Sequence, residues 1–223
     1  MEILPDPLDH LEGGDLEAAS AASIAAAEAL PAQFAAAAVG ITEIASTPFA
    51  HLDPHGVVPK KLLAEALAFF KSNQEKFKNK GHVSVLDYSL RSSEPRFHVI
   101  DMQSGDVQSF RMANGVGSEP AHDGFAHAFS NVPGSNMSSL GFVLTAETYE
   151  GKHGFSLRLD GLSATNSKLR ARAVVVHGAD YVHDKPVIQG RSNGCPALPM
   201  EQRTRVINLI KEGSLMYFAR SQA

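Results

Sequence analysis

The chain has 223 residues, 43% hydrophobic and 20% charged, enough to bury one sizeable core of an ordinary globular protein. Its formal net charge of −4, with Lys and Arg scattered, leaves no electrostatic footprint for nucleic acid or for an anionic membrane surface. A single cysteine excludes an internal disulfide and a Cys-rich zinc module, and no apolar run is long enough for a transmembrane helix.

Residues 1–16 are rich in Asp, Glu, Pro and Gly and read as a poorly ordered acidic arm. They lack the basic and apolar regions of a signal peptide, so the protein is either cytoplasmic or exported with its leader removed. The Ala-rich stretch 17–39 favours helix, interrupted near Pro31, but carries few large apolar side chains to bury. Residues 1–55 are therefore taken as a partly helical arm, and 56–80 as a packing helix. Pro59 opens that helix, in which Leu63, Leu67, Phe70 and Phe77 recur on one face, and Gly81 is its expected stop.

From residue 81 to 223 the texture is that of strands. HVSVLDYS (82–89), RFHVIDM (96–102) and VQSFRMA (107–113) are short and β-branched, with the turn QSGD between the last two. SSLGFVLTAETYE (138–150) and FSLRLDGL (155–162) continue the pattern, and RARAVVVHGAD (170–180) contains a compact buried strand ending at His177-Gly178. A helix with Val206, Leu209 and Ile210 on one face follows Pro199, with Gly213 as its cap, and SLMYFA (214–219) closes the chain as a strand. The predicted fold class is mostly β (α+β), with a C-terminal helix and strand behind an α-helical N-terminal segment.

The cysteine lies in QGRSNGCPALP (189–199), after a turn and before an expected helix entrance. A free thiol packs well as a buried filler, whereas a nucleophile needs a base that generates the thiolate. His177 ends the most hydrophobic strand, and Cys195 follows a turn whose backbone N–H groups can converge on a developing oxyanion. On physical grounds this pair favours the nucleophile over the filler, which stays open at this point.

The residues VVVHGADYV and GRSNGCPALP together resemble the murein L,D-transpeptidase catalytic domain family, the YkuD-like cysteine acyltransferases of bacterial cell walls. The likeness extends upstream through FSNVPGSNMSSLGF (129–142), TAETYEGKHGFSLRLDGL (145–162) and RARAVVVHGADYV (170–182), so several motifs recur in order. It implies a YkuD-like β-sandwich or barrel with Cys195 as nucleophile and His177 as general base and acid. The Gly178 carbonyl would orient the imidazole, with Asp180 as a rival, and amides of Asn193, Gly194 and Cys195 would form the oxyanion hole. Ser192, Arg191, Arg158, His153 and Tyr149 are the expected substrate-binding set, with Ser135 sharing the status of Tyr149.

Two departures stand out. Many relatives have a His or a basic residue where this chain has Asn193, and often an Arg soon after the Cys, which PALP (196–199) does not supply. Arg191 and Arg158 are the candidates to replace it. The implied reaction is peptidoglycan cross-linking through a Cys thioester, with stem peptides as donor and acceptor. The alternatives are an L,D-carboxypeptidase or endopeptidase using water, and a decayed peptidoglycan-binding module, which would have no need to keep thiol and base together. A periplasmic or cell-envelope location, monomeric state and reaction with carbapenems complete the expectation, with no cofactor.

Other motifs attract blander readings. His122, His127, His153, His177 and His183 show no tight ligand spacing, so no metal is assigned to them. NGVGSEP (114–120) lacks the ending and following helix of a phosphate loop and reads as a turn.

Overall fold

The computed structural model describes residues 48–222; the expectations for the acidic arm and for the Ala-rich helix at 17–39 lie outside them. In chain order the elements are α1 (Lys60–Ser72), β1 (His82–Asp87), β2 (Phe97–Asp101), β3 (Val107–Phe110) and β4 (Asn114–Gly115). There follow β5 (Gly141–Gly151), β6 (Gly154–Gly161), β7 (Val175–Ala179), β8 (Arg191–Ser192), β9 (Ala197–Pro199), α2 (Met200–Ile210) and β10 (Leu215–Ala219). The mostly β architecture, with a C-terminal helix and closing strand, is that of the YkuD-like fold expected from the resemblance.

Eight strands form one sheet in the order β3-β2-β1-β10-β5-β6-β7-β9, and β4 and β8 form a separate two-stranded ladder. The last strand in sequence therefore lies in the middle, parallel to β1 and antiparallel to β5. Side chains alternate across a strand, and the sheet uses both faces. Val83, Val85, Leu215, Tyr217 and Ala219 point to one side and pack with Leu62, Leu63, Ala66, Leu67 and Phe70 of α1. Leu86, Met216 and Phe218 point to the other and pack with Val206, Ile207 and Ile210 of α2. The two helices thus cover opposite faces, which is why the central strands read as almost continuously hydrophobic.

The helix at 60–72 is shorter than the sequence predicts. Asn73 ends it, donating its side-chain amide to Phe69 O (2.9 Å) and its backbone N–H to Phe70 O (3.2 Å). Phe77 is still buried in the same cluster, but it follows a 3-10 turn at Gln74–Lys76. Gly213, at φ +90°, lies beyond the helical end at Ile210 and turns the chain into β10.

Candidate active site

The site forms where two parallel strands end. β7 and β9 pair with His177 opposite Ala197 and Gly178 opposite Leu198, so the turn that carries Cys195 leads directly into the strand beside His177. The preceding β8 is held parallel to β4 by the pairs Asn114–Arg191 and Gly115–Ser192. Cys195 therefore sits in a turn between two short strands. The expected helix entrance is displaced: β9 intervenes, and α2 begins only at Met200. Ala113, Ala179, Val182 and Ala197 form a small apolar cluster in this region.

Ser192 shapes the turn. Its hydroxyl lies 2.7 Å from Cys195 O, 3.3 Å from Asn114 O and accepts the Gly194 N–H at 3.1 Å. It is buried and engaged with backbone, which makes it a former of the turn. The same bond occupies the Gly194 N–H, one of the three amides expected at the oxyanion hole. Gly194 has φ +119°, and a β-carbon there would lie 2.8 Å from Met137 O. Only glycine combines that backbone with that approach.

The thiol is buried, 8% exposed, against polar backbone as well as apolar side chains. Val175 N–H donates to Cys195 Sγ at 3.4 Å, and Sγ lies 3.9 Å from Ala173 O. Val175 precedes His177 by two residues on β7, so the sulfur rests on the strand that carries the imidazole.

His177 is 2% exposed, and its Nδ1 is 2.9 Å from Gly178 O. A carbonyl only accepts, so Nδ1 carries the proton and Nε2 is the basic nitrogen. Asp180 is exposed just past the end of β7. His153, at the tip of the β5–β6 hairpin, stacks on His177 with ring centroids 4.3 Å apart and planes 27° from parallel. Gly178 is covered by α2: a β-carbon would meet Met200 Sδ at 2.8 Å and Arg203 Cδ at 2.9 Å. Arg203 also donates to His153 O at 3.2 Å, tying the hairpin tip to the helix. Neither Met200 nor Arg203 was legible as part of the site, because their role depends on how α2 docks.

The remaining sequence candidates divide. Arg158 lies over the Tyr149 ring at 4.2 Å and faces Glu147 at 3.5 Å. Its strand neighbour across the sheet is Val175. Glu147 is held well below the usual carboxylate range, at about 2, chiefly by Arg170, which also binds Asp160. Arg191 donates to the carbonyls of Glu119 (2.8 Å) and Pro120 (3.1 Å), bracing the segment after β4. Ser135 is a partner of Arg172, at 3.3 Å. His122 contacts Gln189 O and His127 pairs with Asp123.

The turn NGVGSEP is a packing platform. A β-carbon at Gly115 would lie 2.4 Å from Asn136 O and 2.9 Å from Gly194 Cα, and one at Gly117 would lie 2.2 Å from Ser135 O. Segment 130–139 can thus press onto both the platform and the cysteine turn. Beneath it, the wholly buried Arg96 donates to Asn114 Oδ1 (2.8 Å), and Asn114 donates to Glu119 (2.9 Å).

Residues 55–219 match the family model described as the L,D-transpeptidase catalytic domain. No curated protein matches the chain. Among solved structures, it is similar to a variant of the helical cell shape determining protein Pgp2 from Campylobacter jejuni, at 10% identity and TM-score 0.42, covering 66% of this chain and 49% of that one. It is also similar to an L,D-transpeptidase from Mycobacterium smegmatis, at 12% identity and TM-score 0.39, covering 62% of this chain and 58% of that one. The chain thus spans about half to three fifths of the length of these structures. The match to the family model covers well over half of the sequence, and the chain belongs to the L,D-transpeptidase catalytic domain family.

Proposed function

We propose that this protein is a peptidoglycan L,D-transpeptidase of the cell envelope, with Cys195 as nucleophile and His177 as general base and acid. The observation that carries the reading is the seating of Cys195 Sγ on the Val175 N–H, two residues before a His177 whose tautomer is set by Gly178 O. An N–H aimed at sulfur favours the thiolate, and the fixed tautomer presents a base along the same strand.

In the first step His177 Nε2 takes the thiol proton, and the thiolate attacks the carbonyl of an L-configured centre in a stem peptide. The oxyanion is held by backbone amides of the turn, those of Asn193 and Cys195, since the Gly194 N–H is committed to Ser192. The imidazolium gives its proton to the departing amine, and a thioester remains. An acceptor amine from a second stem then attacks the thioester, loses its proton to His177 and forms the cross-link, which regenerates the thiolate. His153 buttresses the imidazole through both steps, and Tyr149 and Arg158 flank the donor stem.

Disaccharide-tetrapeptide muropeptides test this directly. With wild-type protein, mass spectrometry should find cross-linked dimers, and Cys195→Ala should find none. Tripeptides without dimers would replace transfer by hydrolysis, the carboxypeptidase reaction. No turnover, together with no carbapenem adduct on Cys195 at large drug excess, would overturn the enzymatic reading.

A further inference from the structure

PALP, directly after the cysteine, holds no cation; of the two arginines expected to replace it, Arg158 lies over Tyr149 beside Glu147 and Arg191 is bonded to the carbonyls of Glu119 and Pro120. The guanidinium that does reach the cysteine turn belongs to Arg172. A β-carbon at Gly194 would meet Arg172 Nη2 at 3.4 Å, so this nitrogen borders the residue immediately before the nucleophile. Arg172 also immediately precedes Ala173, whose carbonyl lies 3.9 Å from Sγ.

Its hydrogen bonds define what this arginine can do. Nη1 donates to Ser130 O (2.7 Å) and Ser139 Oγ (2.6 Å), while Nη2 donates to Met137 O (2.6 Å) and Ser135 Oγ (3.3 Å). The four terminal N–H groups, which elsewhere grip a carboxylate in bidentate fashion, are filled by one protein segment. All four acceptors are neutral, so they orient the guanidinium without cancelling its charge. Burial pulls the Arg172 pKa down from its ordinary value, and the neighbouring Cys195 pushes it back up.

We propose that Arg172 is a positioning residue that supplies a fixed positive charge to the Cys195 thiolate while clamping segment 130–139 onto Gly194. This rests on Cys195 being the nucleophile. The phenols of Tyr88 and Tyr181 also act on Cys195 electrostatically, and both are held at about 12 mainly by burial and so are neutral near pH 7. Arg172, unlike these phenols, is a permanent cation coupled to Cys195. With its terminal N–H groups filled, Arg172 offers the turn its charge and leaves donor recognition to other residues.

The single cysteine makes the test clean, since every thiol signal reports residue 195. Alkylation by iodoacetamide is followed from pH 5 to pH 10 in wild type, Arg172→Gln, Arg172→Lys and Ser139→Ala. Arg172→Gln should move the midpoint upward by about one unit, corresponding to roughly tenfold less thiolate in the pH range below the midpoint. Arg172→Lys, which keeps the charge and loses the fork, should stay within about half a unit of wild type. Ser139→Ala, which loosens the clamp and keeps the charge, should not move it. An unshifted Arg172→Gln, or a Lys variant shifted as far as Gln, would overturn the charge role. Should Arg172→Gln fail to fold, Arg172→Met read against Arg172→Lys makes the same comparison. If neither neutral variant folds, Arg172→Lys decides alone: a midpoint within about half a unit of wild type supports the charge, and a larger shift overturns it. None of these readouts needs turnover, so a failed muropeptide assay and a failed Arg172 test are separate results.

Discussion

Gly194 shows how much of this site depends on one residue lacking a side chain. Its φ of +119° lets the chain reverse between β8 and the cysteine, and its bare α-carbon admits Met137 O and the Arg172 guanidinium. Gly194→Ala should strain the turn by about 1–3 kcal/mol and shift Cys195 relative to His177. Acyl transfer should fall on the order of a hundredfold, the cost of misplacing a nucleophile by about 1 Å. Thermal unfolding and muropeptide turnover check the two effects separately, and an alanine variant with wild-type turnover would show that the turn tolerates a β-carbon. The tetrad Ser192-Asn193-Gly194-Cys195 was legible in sequence because all of its parts are local. Arg172 was not, since an arginine in a turn before a buried strand reads as solvated until the fold brings segment 130–139 around it.

At the scale of elements, a hydroxyl on β5 helps to hold the end of α2, together with Ser214 and Asn79. Thr145 Oγ1 donates to Ile210 O (2.6 Å) and accepts from the N–H groups of Gly213 (3.2 Å) and Ser214 (2.8 Å). This uses its one proton and both lone pairs to satisfy the end of α2 and the start of β10. Thr145→Val keeps the shape and removes all three bonds. It should lower stability by about 1–3 kcal/mol, since the buried N–H groups of Gly213 and Ser214 lose their acceptor while Ile210 O keeps the Ser214 hydroxyl, and urea unfolding measures it. A loss below about 0.5 kcal/mol would mean that the helix end finds other partners. The same helix carries Met200 and Arg203 onto Gly178, so activity should fall further than stability alone explains. Both helices and the long strands were visible as periodicity, whereas β4, β8 and β9, each two or three residues long, were not. Strands that short carry no pattern of their own and exist only through their partners.

At the scale of the whole molecule, the sheet buries a titratable group that the chemistry does not use. His98 on β2 has Nδ1 on Ser109 Oγ at 2.8 Å, and its Nε2 is buried with no hydrogen-bond partner among the described residues. Burial pushes its pKa down from 6.5 to about 4, partly opposed by Asp87 and Asp53. Between those values the unfolded chain binds the proton and the folded chain does not, so acid favours unfolding. Stability is then level above about pH 6.5 and falls as the pH approaches 4, by on the order of 3 kcal/mol at most. Urea midpoints at pH 7, 5.5 and 4.5 should decline in that order, and His98→Gln should flatten the decline. Equal slopes for the two proteins would remove His98 as the cause.

What the sequence by itself determined was everything encoded over short stretches. The apolar stripes of both helices, the alternation of the long strands, and the order of the motifs around His177 and Cys195 all belong to that class. Their physical basis is local: backbone period, turn chemistry and side-chain type act within a few residues. Only the tertiary structure decided that β10 runs between β1 and β5, that β9 separates the cysteine turn from α2, and that the cation beside the turn is Arg172. Those outcomes depend on strands and segments far apart in the chain sharing hydrogen bonds and buried surface. No window of sequence contains both partners of such a contact.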